Sequence, residues 1–211
     1  MGRKKKSDCK INLSLWENYN QYLEYLDADR GLAFTNAFPF NEILGTPLSY
    51  NDAMMQERLC RIEDIFPKPS LKIIEIGGGY GNFCKNYKNK YPEAEYTIVD
   101  NPVMLKFVKV FLDVNNVNVN LVSPEDILTI DGEFDLFVAF SVLSEVTKDY
   151  REALLEHLLP KCKSVIIGEM QKDSLIFTEY LEKYFKHYKT TAIDQSLYPK
   201  HTLYTATKEG V

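Results

Sequence analysis

The stretch LKIIEIGGGYGNF, residues Leu71–Phe83, decides the fold class of this chain. An apolar run, interrupted by the single carboxylate of Glu75, leads into three consecutive glycines and a fourth glycine two residues later. A short apolar run that ends in a Gly-rich turn predicts a buried strand followed by a helix. Turns of this kind bind several cofactors, and the spacing of the glycines separates them.

That spacing excludes the dinucleotide fingerprint G-x-G-x-x-G. In the frame that begins at Gly77, Asn82 stands where the third glycine belongs, and the two later frames also fail. The spacing present is G-x-G-x-G, at Gly77, Gly79 and Gly81. A nicotinamide-dependent dehydrogenase is therefore a distant alternative.

Strand-like and helix-like segments alternate from Leu71 onward, and the chain closes with two β-rich runs within residues 188–208 that no helix separates. This order predicts an α/β fold, a Rossmann-like doubly wound sheet of seven strands, mostly parallel, with one antiparallel strand from a C-terminal hairpin near its edge. The predicted strands before the hairpin are 71–76, 96–100, 117–122, 134–140 and 164–169, and the predicted helices are 82–90, 102–113, 149–159 and 173–185.

Residues 1–70 differ from the rest and predict an N-terminal helical extension, with residues 71–211 as the α/β domain. A helix over about 50–66 would bury Met55, Leu59, Ile62 and Ile65 on one face. Residues 1–10 carry four consecutive cations and read as a disordered basic tail.

The composition indicates which partners and which cellular compartment are expected. The chain has 211 residues, of which 45% are hydrophobic and 26% charged, as in a globular domain with some decoration. The net charge of -5 argues against a nucleic-acid partner. The four cysteines are scattered, which favours buried thiols in a reducing compartment, so we expect a cytoplasmic protein without a membrane span. Since no Asp, Glu, His or Cys cluster has metal-ligand spacing, we expect a metal-independent reaction.

The second predicted strand, YTIVD, ends in Asp100. An acid at this place accepts hydrogen bonds from ribose hydroxyls, and because NAD also carries a ribose diol, Asp100 alone does not identify the cofactor. The alternative is that Asp100 caps the helix that begins near Pro102.

The G-x-G-x-G spacing with Glu75 before it resembles motif I of the class I S-adenosylmethionine-dependent methyltransferases, and the region from Leu71 to Lys208 resembles this family throughout. The resemblance implies that residues 71–211 are the methyltransferase domain and that residues 1–70 form a lid over its acceptor pocket. S-adenosylmethionine has no pyrophosphate; a flat Gly turn lets the backbone approach its amino acid moiety, and Glu75 favours its cationic side. The resemblance implies that an acid in SPEDIL binds the adenine amino group, with Asp126 preferred over Glu125, although either could cap a turn instead. The cofactor-binding residues that it implies are Glu75, Gly77, Gly78, Gly79, Tyr80, Gly81, Asp100, Asn101, Asp126 and Ser141.

Three strings, IIEIGGGYGNF, YTIVDNPVML and FSVLSEV, more narrowly resemble the sugar O-methyltransferase family. That resemblance implies transfer of a methyl group to a hydroxyl of a sugar or glycan. The alternatives are another small molecule methylated at oxygen or nitrogen, and a non-catalytic subunit that only binds S-adenosylmethionine. The oligomeric state stays open.

A sugar hydroxyl needs a general base beside the methyl group, near the end of the fourth strand. Glu145 in SVLSEV is the first candidate, unless it only caps or solvates the helix near Asp149. Glu169 and His201 are lesser candidates. Ser141 and Ser144 would position the reactants, and we expect the acceptor to contact Tyr50, Asp52 and Ser144.

Overall fold

The computed structural model describes residues 58–59, 62–63, 66, 69–170, 174–192 and 201–208. The chain divides into two compact units, Met1–Asp64 and Ile65–Val211. Residues 58–59 and 62–63 are helical, and Leu59 and Ile62 are buried. The predicted substrate residues Tyr50 and Asp52 lie outside the described residues.

Seven strands and four α-helices form the described part of the second unit, together with short 3-10 helices at Pro124–Thr129 and Leu159–Lys161. The strands are β1 Lys72–Ile76, β2 Glu95–Val99, β3 Asn120–Val122, β4 Phe134–Phe140, β5 Cys162–Met170, β6 His187–Ala192 and β7 His201–Thr207. The helices are α1 Asn82–Lys90, α2 Pro102–Val114, α3 Lys148–Leu158 and α4 Ser174–Tyr184.

The strands lie in one sheet in the order β3-β2-β1-β4-β5-β7-β6. β7 pairs antiparallel with both β5 and β6, and the other neighbouring pairs are parallel. This confirms the predicted seven-stranded Rossmann-like sheet with one antiparallel strand near its edge. The strand order reverses between β1 and β4, so a ligand crevice is expected at the carboxyl end of β1, where the glycines follow.

The centre of the sheet is covered on both faces. Ile73 and Ile74 of β1 are both fully buried although they point to opposite faces, and β4 is apolar along nearly its whole length. At the carboxyl end of β4 the ring of Phe140 fills the space beside Gly168 of β5, where a Cβ atom would lie 2.7 Å from it. The same ring packs edge-on against Phe83 of α1, with centroids 5.8 Å apart.

The boundaries differ from the predicted ones mainly at β3 and β6. β3 begins at Asn120 rather than at residue 117, because the end of α2 continues into an irregular segment: Asn116 has a φ of 57°, and the Val117 N–H donates to the Leu112 carbonyl at 2.9 Å. β6 begins at His187, one residue before the first of the two predicted β-rich runs.

Two features are missing from the described part of the chain. None of the helices there is both long enough and apolar enough to cross a bilayer. The same residues contain no group of three His, Cys, Asp or Glu side chains that could hold a metal ion.

Candidate cofactor site

The glycine turn after β1 needs glycine for two different reasons. Gly77 has a φ of 70°, and a Cβ atom there would lie 2.4 Å from a methyl carbon of Val142, so a side chain is excluded by both strain and space. Gly79 has a φ of 57°, but no described atom lies within 4 Å of the position its Cβ would take. The turn is therefore packed against the loop after β4 on one side and open on the other, where a ligand can approach the backbone.

Asp100, directly after β2, is bound to this turn. Its Oδ2 accepts the Gly79 N–H at 3.2 Å, and its Oδ1 accepts the Asn101 N–H at 2.7 Å. Burial raises the pKa of the Asp100 carboxyl above its usual range, although the hydrogen bonds from Asn101 and Gly79 act in the opposite direction. Because a carboxylate oxygen can accept more than one hydrogen bond, Asp100 could also hold ribose hydroxyls.

Asn101, and not Asp100, caps α2. The Asn101 Oδ1 accepts the N–H groups of Val103 at 3.1 Å and Met104 at 3.0 Å, and its Nδ2 donates to Asp100 at 3.2 Å. These contacts engage both polar atoms of the side chain. The structure therefore gives Asn101 the role that the sequence had offered to Asp100 as an alternative, and it orients Asp100 as well.

Glu75 lies beneath the turn. It is buried, it accepts the Tyr96 hydroxyl at 2.9 Å, and its Oε2 lies 3.4 Å from the position of a Cβ at Gly78. Burial and the charge of Glu75 both raise the pKa of Tyr96 and of Cys84, so these two neighbours stay neutral. A buried carboxylate beneath the turn could favour a cationic ligand there.

The loop after β4 is held by Glu169 of β5, which is fully buried. The Glu169 Oε1 accepts the N–H groups of Val142 at 2.9 Å and Leu143 at 2.7 Å, and its Oε2 accepts the Ser144 hydroxyl at 2.8 Å. From α3, the Arg151 guanidinium donates to the Leu143 carbonyl at 3.0 Å. The loop backbone is thus fixed from two elements at once.

Ser141 begins this loop in the left-handed region, with a φ of 55°, and its N–H donates to the Gly168 carbonyl at 2.7 Å. A non-glycine residue held there is strained and is found where the surroundings over-determine the backbone, often at functional sites. The strained residue lies at the carboxyl end of β4, beside the glycine turn. This is the place where we predicted that Ser141 acts.

The three candidate bases occupy different environments. Glu145 is exposed in a turn of the loop, and its N–H donates to the Val142 carbonyl at 3.0 Å. Glu169 has both oxygens engaged and is closed to solvent, so we infer that it positions the loop and does not act as the base. His201 begins β7 opposite Met170, and its side chain lies outside the part of the structure that is described.

The predicted adenine contacts lie on the 3-10 helix after β3, where Asp126 and Glu125 are both exposed. Glu125 accepts a hydrogen bond from the hydroxyl of Ser123.

Sequence reasoning missed Tyr150, a half-buried residue of α3. Burial, together with the charges of Glu125 and Asp100, raises the pKa of Tyr150 to about 12, so its hydroxyl stays a neutral donor near these two acids. A single tyrosine in a helix gives no sequence signal that separates it from a packing residue.

Tyr80 of the glycine turn packs edge-on against Phe111 of α2, with ring centroids 4.9 Å apart. The turn, Asp100 and α2 are therefore joined by an aromatic contact as well as by hydrogen bonds.

Comparisons with known proteins agree with this geometry. A family model described as a methyltransferase domain matches residues 74–158. A comparison with curated protein sequences gives no match.

Solved structures share the fold at low identity. The methyltransferase domain of bacterial CtHen1 is 14% identical with a TM-score of 0.60, over 74% of this chain and 97% of that one. Magnesium protoporphyrin IX methyltransferase from Synechocystis PCC 6803, solved with bound S-adenosylmethionine, is 13% identical with a TM-score of 0.58, over 75% and 80%. An O-methyltransferase family protein from Burkholderia thailandensis is 14% identical with a TM-score of 0.56, over 95% and 71%.

The chain has the fold of the class I S-adenosylmethionine-dependent methyltransferases, and its residues 74–158 match a methyltransferase domain, so the protein is an S-adenosylmethionine-dependent methyltransferase. Its cofactor is S-adenosylmethionine, and its reaction transfers a methyl group to an acceptor.

Proposed function

We propose that the acceptor is a hydroxyl group of a sugar or glycan and that the protein is an O-methyltransferase. The observation that carries this proposal is the loop after β4, where the exposed carboxylate of Glu145 follows Ser144 on a backbone that Glu169 fixes. The resemblance of the turn, of the segment after β2 and of this loop to the sugar O-methyltransferase family supports the same acceptor class.

The residues of the turn would hold the cofactor and orient it. S-adenosylmethionine supplies an electrophilic methyl group on a sulfonium. Asp100 would accept its ribose hydroxyls, the buried Glu75 would favour its positive charge, and Asp126 or Glu125 would bind the adenine amino group. Tyr150, whose pKa the charges of Glu125 and Asp100 raise, could donate its hydroxyl to the cofactor.

Glu145 would act at the acceptor hydroxyl. Aligning donor and acceptor supplies much of the rate, and a base that takes the hydroxyl proton adds about 10²–10⁴-fold. Ser144 already donates to Glu169 at 2.8 Å, so its oxygen remains as an acceptor for a substrate hydroxyl. Ser141 would set the direction of the loop through its strained backbone.

The test measures S-adenosylhomocysteine formation with a panel of sugars, glycans and amines, for the wild-type protein and for Glu145→Gln. We expect turnover on a hydroxyl acceptor and a loss of kcat of about 100-fold or more in the variant, because the amide cannot take the proton. The matched control is Glu179→Gln, an exposed glutamate on α4, which should retain full activity.

Three other outcomes would change the proposal. Turnover on amines alone would replace the hydroxyl acceptor with a nitrogen acceptor. Binding of S-adenosylhomocysteine without turnover on any acceptor would favour the non-catalytic subunit. Activity of Glu145→Gln near that of wild type would remove Glu145 as the base.

A further inference from the structure

Helix α2 is apolar on two opposite sides. Val108 and Leu112 face the sheet and are buried. The other side exposes four large apolar side chains, with exposed fractions of 62%, 61%, 65% and 77% for Val103, Phe107, Val110 and Val114. We call these four residues the α2 seam. Contiguous exposed apolar surface of this kind marks an interaction site more often than isolated apolar residues do.

The spacing of the seam indicates the kind of partner. The four residues follow one another at intervals of four, three and four, which is the repeat of the a and d positions in a coiled coil. Over these residues the helix rises about 16 Å, or three turns. A stripe of this form fits the matching stripe of another helix, whose side chains insert between its own.

The charges beside the seam make it complementary to itself. Lys106 and Asp113 lie seven residues apart on the same flank and both are exposed, and Asp113 also pairs with Lys109 of its own helix at 3.0 Å. If two copies of α2 pair antiparallel about a twofold axis between Phe107 and Val110, Val103 meets Val114 of the second copy, and Phe107 meets Val110. Lys106 then lies on the same flank as Asp113 of the second copy, offset by about 3 Å along the helix axis, which is within reach of an ion pair, and the symmetry repeats that pair. A parallel pairing brings together no such charges.

We propose that the α2 seam is the surface on which a second copy of this chain docks, antiparallel and with twofold symmetry. One helix stripe is at the small end of specific interfaces, which begin near about 1,200 Å² in total, so the dimer should be weak and should form at micromolar concentration. Phe111, the α2 residue that contacts Tyr80 of the glycine turn, is not part of the seam. The proposal therefore does not depend on the acceptor or on the role of Glu145.

Sedimentation velocity over a concentration series of the full chain tests the proposal. We expect a monomer–dimer equilibrium for the wild-type protein and a monomer for Phe107→Glu, which buries a carboxylate against Val110 of the second copy on each side of the twofold axis. Leu128→Glu is the matched control: Leu128 is also 62% exposed but lies outside the seam, so this variant should dimerise as the wild type does. Thermal unfolding and S-adenosylhomocysteine binding check that each variant is folded.

A charge swap tests the antiparallel arrangement. Lys106→Asp and Asp113→Lys should each weaken the dimer about tenfold, since each puts like charges opposite one another, and the double variant should restore it. A wild-type protein that stays monomeric up to about 100 μM would overturn the proposal, since interfaces of this class associate below that range. Dimerisation of folded Phe107→Glu at wild-type strength would also overturn it, and a double variant without recovery would reject the antiparallel register.

Discussion

At the scale of the residue, the position of Asp100 followed from the sequence, but its partners did not. An acid at the end of a predicted strand beside a Gly turn has few alternative places in a parallel sheet, because the carboxyl ends of neighbouring strands lie at one edge. The hydrogen bond from the Gly79 N–H and the capping by Asn101 depend on turn geometry that no spacing rule specifies. The sequence therefore named the residue and left its orientation open.

Replacing Asp100 with Ala should weaken S-adenosylhomocysteine binding about 10- to 100-fold, because hydrogen bonds to a charged group contribute about 1.5–3 kcal/mol. Titration calorimetry measures this directly. Asp100→Asn should fall between Ala and wild type, since the amide keeps one acceptor oxygen. The exposed Asp131→Ala serves as a control for the loss of one negative charge. Wild-type affinity in folded Asp100→Ala would rule out the ribose role.

At the scale of the element, the loop between β4 and α3 shows where sequence reasoning stops. Glu169 ends the apolar run SVIIGE, and a carboxylate at the end of a strand reads as a candidate base. In the structure it is fully buried and accepts hydrogen bonds from three successive loop residues, Val142, Leu143 and Ser144. The sequence could not show this burial, because burial at a strand end depends on the loop of a neighbouring strand, which is distant in sequence.

Glu169→Gln should therefore act on the loop and not on proton transfer. The amide loses a charge-assisted acceptor at Ser144, and we expect unfolding to become easier by about 1–3 kcal/mol together with a lower kcat. The pH–rate profile should keep its shape. The loss of a base would change that shape, whereas a smaller amount of folded protein would not. Glu169→Asp, which retains the charge, should recover part of the activity. If Glu169→Gln kept wild-type stability and its pH–rate profile lost one limb, Glu169 would be the base.

At the scale of the whole molecule, Asp135 joins the first residues of the three central strands. Its Oδ2 accepts the N–H groups of Leu71 and Lys72, both at 3.0 Å, and its Oδ1 accepts the Lys163 ammonium at 2.8 Å. Burial alone would raise the pKa of the Asp135 carboxyl, but these hydrogen bonds and the nearby charge of Lys163 outweigh burial, so the pKa lies below its usual range.

The sign of this shift predicts how stability depends on pH. Because the folded pKa is lowered, the contribution of Asp135 is complete above the unfolded pKa of 3.8 and is lost as the pH falls through the folded value. Urea unfolding of Asp135→Asn at pH 7 should show a loss of about 1 kcal/mol against wild type, and the difference should shrink below about pH 4. A difference that stays constant to pH 2 would contradict this ionic role; Asp131→Asn is the exposed control.

The topology of the sheet could be predicted from the sequence. Alternating strands and helices fixed the parallel part, and the final pair of runs without an intervening helix required an antiparallel strand. The α2 seam could not be predicted from the sequence. The segment PVMLKFVKVFLDV is apolar on most of its faces, and only the structure shows which face the sheet covers.

The contact between Gly168 and Phe140 has a consequence for how this sequence can vary. A methyl group at 168 would press on the Phe140 ring, and that ring packs against Phe83, two residues after the last glycine of the cofactor turn. A side chain at position 168 would therefore displace the ring of Phe140, which would displace Phe83 and with it the glycine turn. In a genetic selection, a lesion at position 168 should be suppressed by a smaller side chain at position 140, and across homologous chains the two positions should change together.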